Sequence, residues 1–180
     1  CGFLVPGYFA TIMDRARLAG NLAAGYGEVY WKLAILALLG AGLFGWQLGT
    51  WDFLEPDEPD FALISREMLQ SDDWVVPTRN HRPYAEKPPL LYWMVAGLGK
   101  VSGQGVNGWT GRIPSALCGI LGVLAVYLMG LRWMGREAAL ASAAVLLGLP
   151  CWILGSRTLF TDLPLAGFTA LALLGLGRTI

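Results

Sequence analysis

Long apolar runs alternate with polar segments along the chain. Four runs carry little or no charge and approach the roughly 20 residues that a helix needs to cross a bilayer; they cover about residues 33–51, 113–131, 138–155 and 163–180. The pattern predicts an all-α, multi-spanning membrane protein with about four transmembrane helices. Residues 1–31 are mixed in character and are left as an unassigned cytoplasmic segment, ahead of one membrane domain over residues 32–180.

The polar segment 52–112, between the first two spans, contains two shorter elements. In "PDFALISREMLQ", Phe61, Ile64 and Met68 recur on one face, which predicts a short amphipathic helix with Arg66 and Glu67 off that face. "KPPLLYWMVAGLGKVSG" is apolar over too short a stretch to span a membrane. It predicts a helix lying along the membrane interface.

Charge supports the membrane assignment and suggests an orientation. Only 14% of residues are charged and 55% are hydrophobic, whereas about a quarter of a soluble chain is charged. Cytoplasmic loops are enriched in Lys and Arg, and basic residues precede span one and separate spans two and three: Arg15, Arg17, Lys32, Arg132 and Arg136. The loop 52–112 and the loop 156–162 are then both extracytoplasmic.

Composition argues against several other classes of function. The formal net charge is zero, so nothing indicates a nucleic-acid partner. Cys1, Cys118 and Cys151 are widely spaced and form no CxxC motif. Cys118 and Cys151 lie in apolar runs, which predicts buried thiols rather than a metal or redox centre.

Candidate chemistry gathers in the two extracytoplasmic loops. An acid at the membrane surface can act as a general base on an acceptor hydroxyl or amine, and a lysine at headgroup level can neutralise a phosphate. Together they suit transfer from a lipid-phosphate donor. The residues concerned are Asp57, Glu58, Glu86, Lys87, Arg157 and Asp162.

Each of these residues also has a structural interpretation. Asp57 and Glu58 could simply favour a helix N-terminus through the helix dipole. Glu86 and Lys87 could be a local surface ion pair that contributes little. Asp162, two residues before Pro164, could cap the fourth helix.

The order of motifs resembles a known family of enzymes. "DEPDFALISREMLQSDDWVVPTRNHRPYAEKPPLLYW" is similar to the first extracytoplasmic loop of lipid-linked-sugar glycosyltransferases of the protein O-mannosyltransferase and aminoarabinose transferase (ArnT-like) superfamily, which have the GT-C fold. The shared elements are Asp-Glu, "SREM", "DW" with a following Pro, "YAEKPP" and an aromatic pair. "GRIPSAL" and "SRTLFTDLPLAGF" continue the resemblance to about residue 178.

The resemblance implies a function and roles for matching residues. The chain would be the N-terminal part of an integral inner-membrane enzyme that moves a sugar from a polyprenyl-phosphate donor to a lipid, glycan or protein acceptor. Asp57 would be the catalytic base and Glu58 its support, while Lys87 would bind the donor phosphate. Arg66 would brace the first-loop helix, Asp162 would line the same outer cavity, and Arg157 would be a further candidate for contact with the donor phosphate. Glu86 matches a position that can ligate a divalent metal, the one cofactor implied.

Some positions depart from the aminoarabinose-transferring branch. Asp60 and Phe61 stand where that branch tends to carry Arg and Tyr, and Leu63 stands where it has Glu. These departures favour a general bacterial member of the superfamily. Because donor and acceptor sites in the family also use later parts, residues 1–180 alone are expected to be inactive.

Two other classes of function remain open at this stage. A non-catalytic accessory subunit could keep the membrane scaffold without the chemistry, although Asp57, Lys87 and Asp162 argue against it. A small transporter would carry ionisable groups within its spans, and spans one to three have none.

Overall fold

A computed structural model describes residues 27–53 and 57–176 of the chain. The chain divides into two compact units at Ile35, and all the packing contacts discussed below lie within the second unit, Leu36–Ile180. The described part is mainly helical, as the sequence predicts. Its helices are α1 (Gly27–Gly45), α2 (Asp57–Ser71), α3 (Leu90–Ser102), α4 (Gly108–Trp133), α5 (Arg136–Gly148), α6 (Pro150–Ser156) and α7 (Asp162–Leu176).

Among the described residues, α1 and α4 are long and apolar enough to cross a membrane, and α5 with α6 makes a third span if the bent pair is counted as one. α3 and α7 are shorter apolar helices. α1 begins at Gly27, before the predicted span 33–51. It ends at Gly45 because residues 46–49 form a turn, in which Gln47 takes a φ of 53°. The predicted third span, 138–155, is bent by 63° between α5 and α6. Pro150 starts α6 at this bend, since it cannot donate a hydrogen bond to the preceding turn.

Glycines let the membrane helices approach α4 closely. A Cβ atom on Gly130 would lie 2.7 Å from the Cα atom of Ala139 in α5. A Cβ atom on Gly167 of α7 would lie 2.8 Å from the backbone oxygen of Cys118 in α4. Small residues at such contacts are typical of helix pairs that pack in membranes. The prediction that both thiols are buried is confirmed for Cys118, which lies in this packing, and is wrong for Cys151, which is exposed on α6.

The loop between α1 and α4 has its own apolar core. Phe61, Ile64 and Met68 of α2 are buried, as predicted, against α3 residues that include Tyr92 and Val95. This core holds α2 and α3 together as one layer next to the start of α4. It therefore helps to position α2, the helix that carries Asp57, Glu58 and Arg66.

A short β-hairpin, which the sequence pattern did not predict, closes the side of α2. β1 (Thr78–Arg79) pairs antiparallel with β2 (Arg82–Pro83), and the turn residues Asn80 and His81 both have positive φ. His81 is exposed at this turn. Glu67 was placed off the apolar face of α2, yet it is buried, because its carboxylate accepts hydrogen bonds from the Thr78 hydroxyl (2.6 Å) and the His81 amide (3.2 Å).

Candidate active site

The Asp57–Glu58 pair begins α2, and its two carboxylates have opposite environments. Asp57 is exposed, whereas Glu58 is only 1% exposed. Both lie in the first turn, where free N–H groups and the helix dipole favour negative charge. The pair therefore separates into one carboxylate open to a reactant and one built into the protein.

Glu58 is held by Arg112, from the first turns of α4. The Arg112 Nε and Nη2 atoms donate to the two Glu58 oxygens at 3.0 and 2.8 Å, a two-pronged contact that suits a planar guanidinium. The same guanidinium donates to three backbone carbonyls that follow α1, those of Leu48, Trp51 and Asp52, at 2.8–3.0 Å. One buried arginine thus ties together the end of α1, the start of α2 and the start of α4.

Glu58 also reaches the loop between α6 and α7. Its Oε1 atom accepts a hydrogen bond from the backbone N–H of Leu159 at 2.6 Å. Phe160 then packs edge-on against Phe61 of α2, with ring centroids 6.5 Å apart. The Ser115 hydroxyl of α4 donates to the Phe160 carbonyl at 3.4 Å. The start of α2 and the loop that leads into Asp162 are therefore parts of one connected structure.

Lys87 joins this structure from the segment before α3. Its Nζ atom lies 5.1 Å from the centroid of the Phe61 ring, an arrangement that favours a cation on the aromatic face. The side chain is half-buried, and among the described residues it has no carboxylate partner. The ammonium group therefore retains hydrogen-bond donors for an anionic ligand.

An apolar groove of about 160 Å³ runs between the N-terminal ends of α3 and α7. Pro88, Leu90 and Leu91 line one side, and Thr161, Pro164 and Leu165 line the other. Lys87 directly precedes the first side and Asp162 directly follows Thr161 on the second. Neither residue lines the groove itself: Lys87 lines an adjoining pocket with Tyr84 and Glu86, and Asp162 lines a groove between α4 and α7.

Glu86 points into a more polar part of the first loop. It is exposed and accepts a hydrogen bond from the Tyr84 hydroxyl at 3.2 Å. Burial and the neighbouring Glu86 carboxylate raise the pKa of Tyr84. No group of three or more His, Cys, Asp or Glu side chains gathers as a metal site within residues 27–53 and 57–176. The residues present do not fit a divalent metal at Glu86.

The remaining predicted site residues are distributed around this centre. Asp162 begins α7, is exposed, and accepts a long hydrogen bond from Thr161 at 3.4 Å. Arg66 lies on the outer face of α2 and donates to the Val106 carbonyl at 3.1 Å, a contact that braces α2 against the segment before α4. Arg157 lines a pocket with Glu58 and Arg112 that does not include Lys87, and it donates to the Trp46 carbonyl.

The sequence prediction missed Arg112, the residue with the most contacts in this centre. Arg112 directly precedes the predicted span 113–131, and an ionisable residue in such a position needs a partner. Its place in the sequence was therefore the signal that could have identified it. Glu58 is that partner, because the carboxylate and the guanidinium neutralise each other where both are buried.

Comparison with known proteins places this geometry in context. The family model described as dolichyl-phosphate-mannose-protein mannosyltransferase matches residues 86–180. An undecaprenyl phosphate-alpha-4-amino-4-deoxy-L-arabinose arabinosyl transferase 2 from Pseudomonas fluorescens is 37% identical over 134 residues, which are 74% of this chain and 22% of that protein. The corresponding enzyme of Shewanella sediminis is 35% identical over 57% of this chain and 18% of that protein.

Solved structures agree with these sequence matches. The crystal structure of ArnT from Cupriavidus metallidurans in the apo state has a TM-score of 0.69 and 31% identity, covering 84% of this chain and 27% of that one. The same protein bound to undecaprenyl phosphate gives a TM-score of 0.69 over 82% of this chain and 26% of that one. The present chain thus spans about a fifth to a quarter of the length of the proteins that it matches.

Proposed function

Because the chain belongs to the dolichyl-phosphate-mannose-protein mannosyltransferase family, we propose that its protein is a membrane glycosyltransferase. It transfers a sugar from a polyprenyl-phosphate donor to an acceptor at the extracytoplasmic face of the inner membrane. The observation that supports this best is the split of the Asp-Glu pair. Buried Glu58 is fixed by Arg112, and exposed Asp57 is left at the start of α2.

The relatives suggest the class of donor. They are named for undecaprenyl phosphate carrying an amino sugar, and one solved relative holds undecaprenyl phosphate. In this chain, Lys87 supplies a cation beside an apolar groove. A lipid chain in the groove and a phosphate on Lys87 would use both features, and the donor would enter from the bilayer along α3.

The proposed chemistry is a single displacement at the anomeric carbon. The Asp57 carboxylate takes the proton from an acceptor hydroxyl or amine as that atom forms the new bond to the sugar. The bond between the sugar and the phosphate oxygen breaks, its electrons stay on the phosphate, and Lys87 stabilises the added charge. Attack opposite the leaving phosphate inverts the configuration at the anomeric carbon. The acceptor is a lipid, glycan or protein.

Glu58 and Arg112 act in this proposal as positioning residues. They touch neither donor nor acceptor, but they fix the backbone that carries Asp57 and the loop that leads to Asp162. A misplaced catalytic group costs much of the rate even when it is chemically intact. Arg66 braces α2, Asp162 is proposed to line the outer cavity of the full-length protein, and no step is assigned to a metal.

The test compares wild type with Asp57→Asn in the full-length protein. Asn keeps the size of the side chain and removes the base. Membranes containing each protein would receive radiolabelled polyprenyl-phosphate sugars, and release of the lipid phosphate would be followed. Asp73→Asn is the matched control, because Asp73 is exposed in the same loop and caps Val75 and Val76, which an Asn can also do.

We expect Asp57→Asn to reduce turnover by about 100-fold or more, in line with the loss of a general base, and Asp73→Asn to retain it. Full activity in Asp57→Asn at equal expression would contradict the mechanism. Absence of turnover in wild type across several donors would instead favour a non-catalytic membrane subunit.

A further inference from the structure

A second pocket is lined by the Glu58–Arg112 pair and does not include Lys87. Its volume is about 170 Å³, and we call it the arginine pocket; Gln47, Leu48, Trp51, Glu58, Arg112, Arg157 and Thr158 line it. It shares no lining residue with the groove between α3 and α7. The volume equals that of roughly five to six waters in the liquid, so a phosphate group fits it.

Charge in the arginine pocket is unevenly compensated. Arg112 is paired with Glu58, and its donors are used by that carboxylate and by backbone carbonyls. Arg157 is half-buried and donates from Nη2 to the Trp46 carbonyl at 2.8 Å. Within the described part of the chain, Arg157 forms no ion pair. The pocket therefore carries one surplus positive charge with guanidinium donors to spare.

Other lining groups add donors, and the carboxylate in the lining, that of Glu58, is already held by the protein. The side-chain amide of Gln47 and the indole N–H of Trp51 have no hydrogen-bond partner among the described residues and line the same pocket. The Glu58 carboxylate is 1% exposed, and its two oxygens are held by Arg112 and Leu159. An anion entering the pocket would thus meet donors on several sides.

The surroundings of the arginine pocket resemble a membrane interface. Trp46 and Trp51 are 67% and 62% exposed, and exposed tryptophans of membrane proteins concentrate at headgroup level. α1 ends at Gly45, two residues before Gln47 of this pocket, and Leu38 and Leu43 of α1 are exposed. A molecule with an anionic head and an apolar tail would find a complementary surface for each part.

We propose that the arginine pocket binds a phosphate group, supplied by a lipid headgroup of the bilayer or by free phosphate, with Arg157 as its main ligand. Arginine suits this role because its planar fork donates two parallel hydrogen bonds to phosphate oxygens. The site is separate from the proposed donor site at Lys87, and it does not depend on the proposed reaction.

The test uses purified full-length protein in a neutral detergent and follows thermal unfolding during titration. Short-chain phosphatidylglycerol and inorganic phosphate are the two phosphate probes, and a short-chain diacylglycerol is the probe without phosphate. Arg157→Gln is compared with wild type and with Arg82→Gln. Arg82 is exposed in β2, so its variant loses the same charge outside the pocket.

We expect phosphatidylglycerol to stabilise wild type and Arg82→Gln, and its apparent Kd to weaken about tenfold or more in Arg157→Gln, as for a lost charged hydrogen bond. If inorganic phosphate stabilises the protein as much as phosphatidylglycerol does, the arginine pocket binds phosphate and the ligand is free phosphate rather than a lipid headgroup. If Arg157→Gln does not fold, Trp51→Phe is the second variant. It keeps an aromatic ring but removes the indole N–H, and it should weaken phosphatidylglycerol binding measurably. Equal Kd values in all variants, or an equal effect of diacylglycerol, would overturn the proposal.

Discussion

The Glu58–Arg112 pair offers the sharpest test of how this fold is held together. Replacing Arg112 with Met keeps much of its length and removes its charge and its donors. The change leaves the Glu58 carboxylate buried without its guanidinium partner, while the Leu159 N–H still donates to it. It also frees the Leu48, Trp51 and Asp52 carbonyls from their guanidinium contacts.

The size of the effect follows from burial. Both side chains are at most 6% exposed, so water cannot replace the lost partner. Removing one member of a buried ion pair costs about 3–5 kcal/mol, because the other charge remains uncompensated. We expect Arg112→Met and Glu58→Leu each to lower the free energy of unfolding by about this amount. Glu58→Leu/Arg112→Met should cost less than the sum, by about 1–3 kcal/mol.

Reversible unfolding in mixed detergent micelles, read by tryptophan fluorescence, would measure all four proteins. Arg82→Met is the control, since Arg82 is exposed and should unfold within about 0.5 kcal/mol of wild type. Single variants that cost less than about 1 kcal/mol would mean that the pair is dispensable. Costs that simply add in the double variant would show that the two charges do not depend on each other.

Two further predictions concern the first loop. Replacing Lys87 with Met should raise the apparent KM for a polyprenyl-phosphate sugar in the full-length enzyme by about tenfold or more, because a charged contact to phosphate is lost. Lys87→Arg should retain part of the affinity. An unchanged KM in Lys87→Met would argue against the contact. Although burial opposes it, hydrogen bonds from Thr78 and His81 leave the pKa of Glu67 below its ordinary value of 4.5, so its contribution to the hairpin is present above pH 4.5 and is lost as pH falls through the lower folded pKa. Hydrogen exchange should show the His81 amide losing its protection factor under acid conditions in wild type, and Glu67→Gln should abolish that dependence on pH.

Periodicity and hydropathy predicted much of the fold because those signals are local. The buried face of α2, formed by Phe61, Ile64 and Met68, follows from spacing alone. The sequence also predicted that the apolar stretch after Pro89 is short, and α3 is one of the shorter apolar helices. These features depend on neighbouring residues in the chain, so the sequence carries them directly.

The missed features depend on contacts between distant positions. Glu58 and Arg112 are separated by 54 residues, and nothing in the local pattern pairs them. Glu67 reads as a polar residue off the apolar face, yet the hairpin folds over it and satisfies its carboxylate. The site residues Asp57, Lys87 and Asp162 were found through motif order, and their roles stay predictions until tested.

The bend between α5 and α6 has a consequence for the bilayer itself. At 1.5 Å per residue, the 26-residue α4 is about 39 Å long. The 13-residue α5 and the 7-residue α6, bent by 63°, rise only about 25 Å along the α5 axis. If the bent pair is one span, it is shorter than the roughly 30 Å hydrocarbon layer, and local thinning of the membrane is one way to match it. The loop before Asp162 would then lie where the lipid surface is locally depressed. A lipid-linked phosphate would move a shorter distance out of the bilayer to reach it.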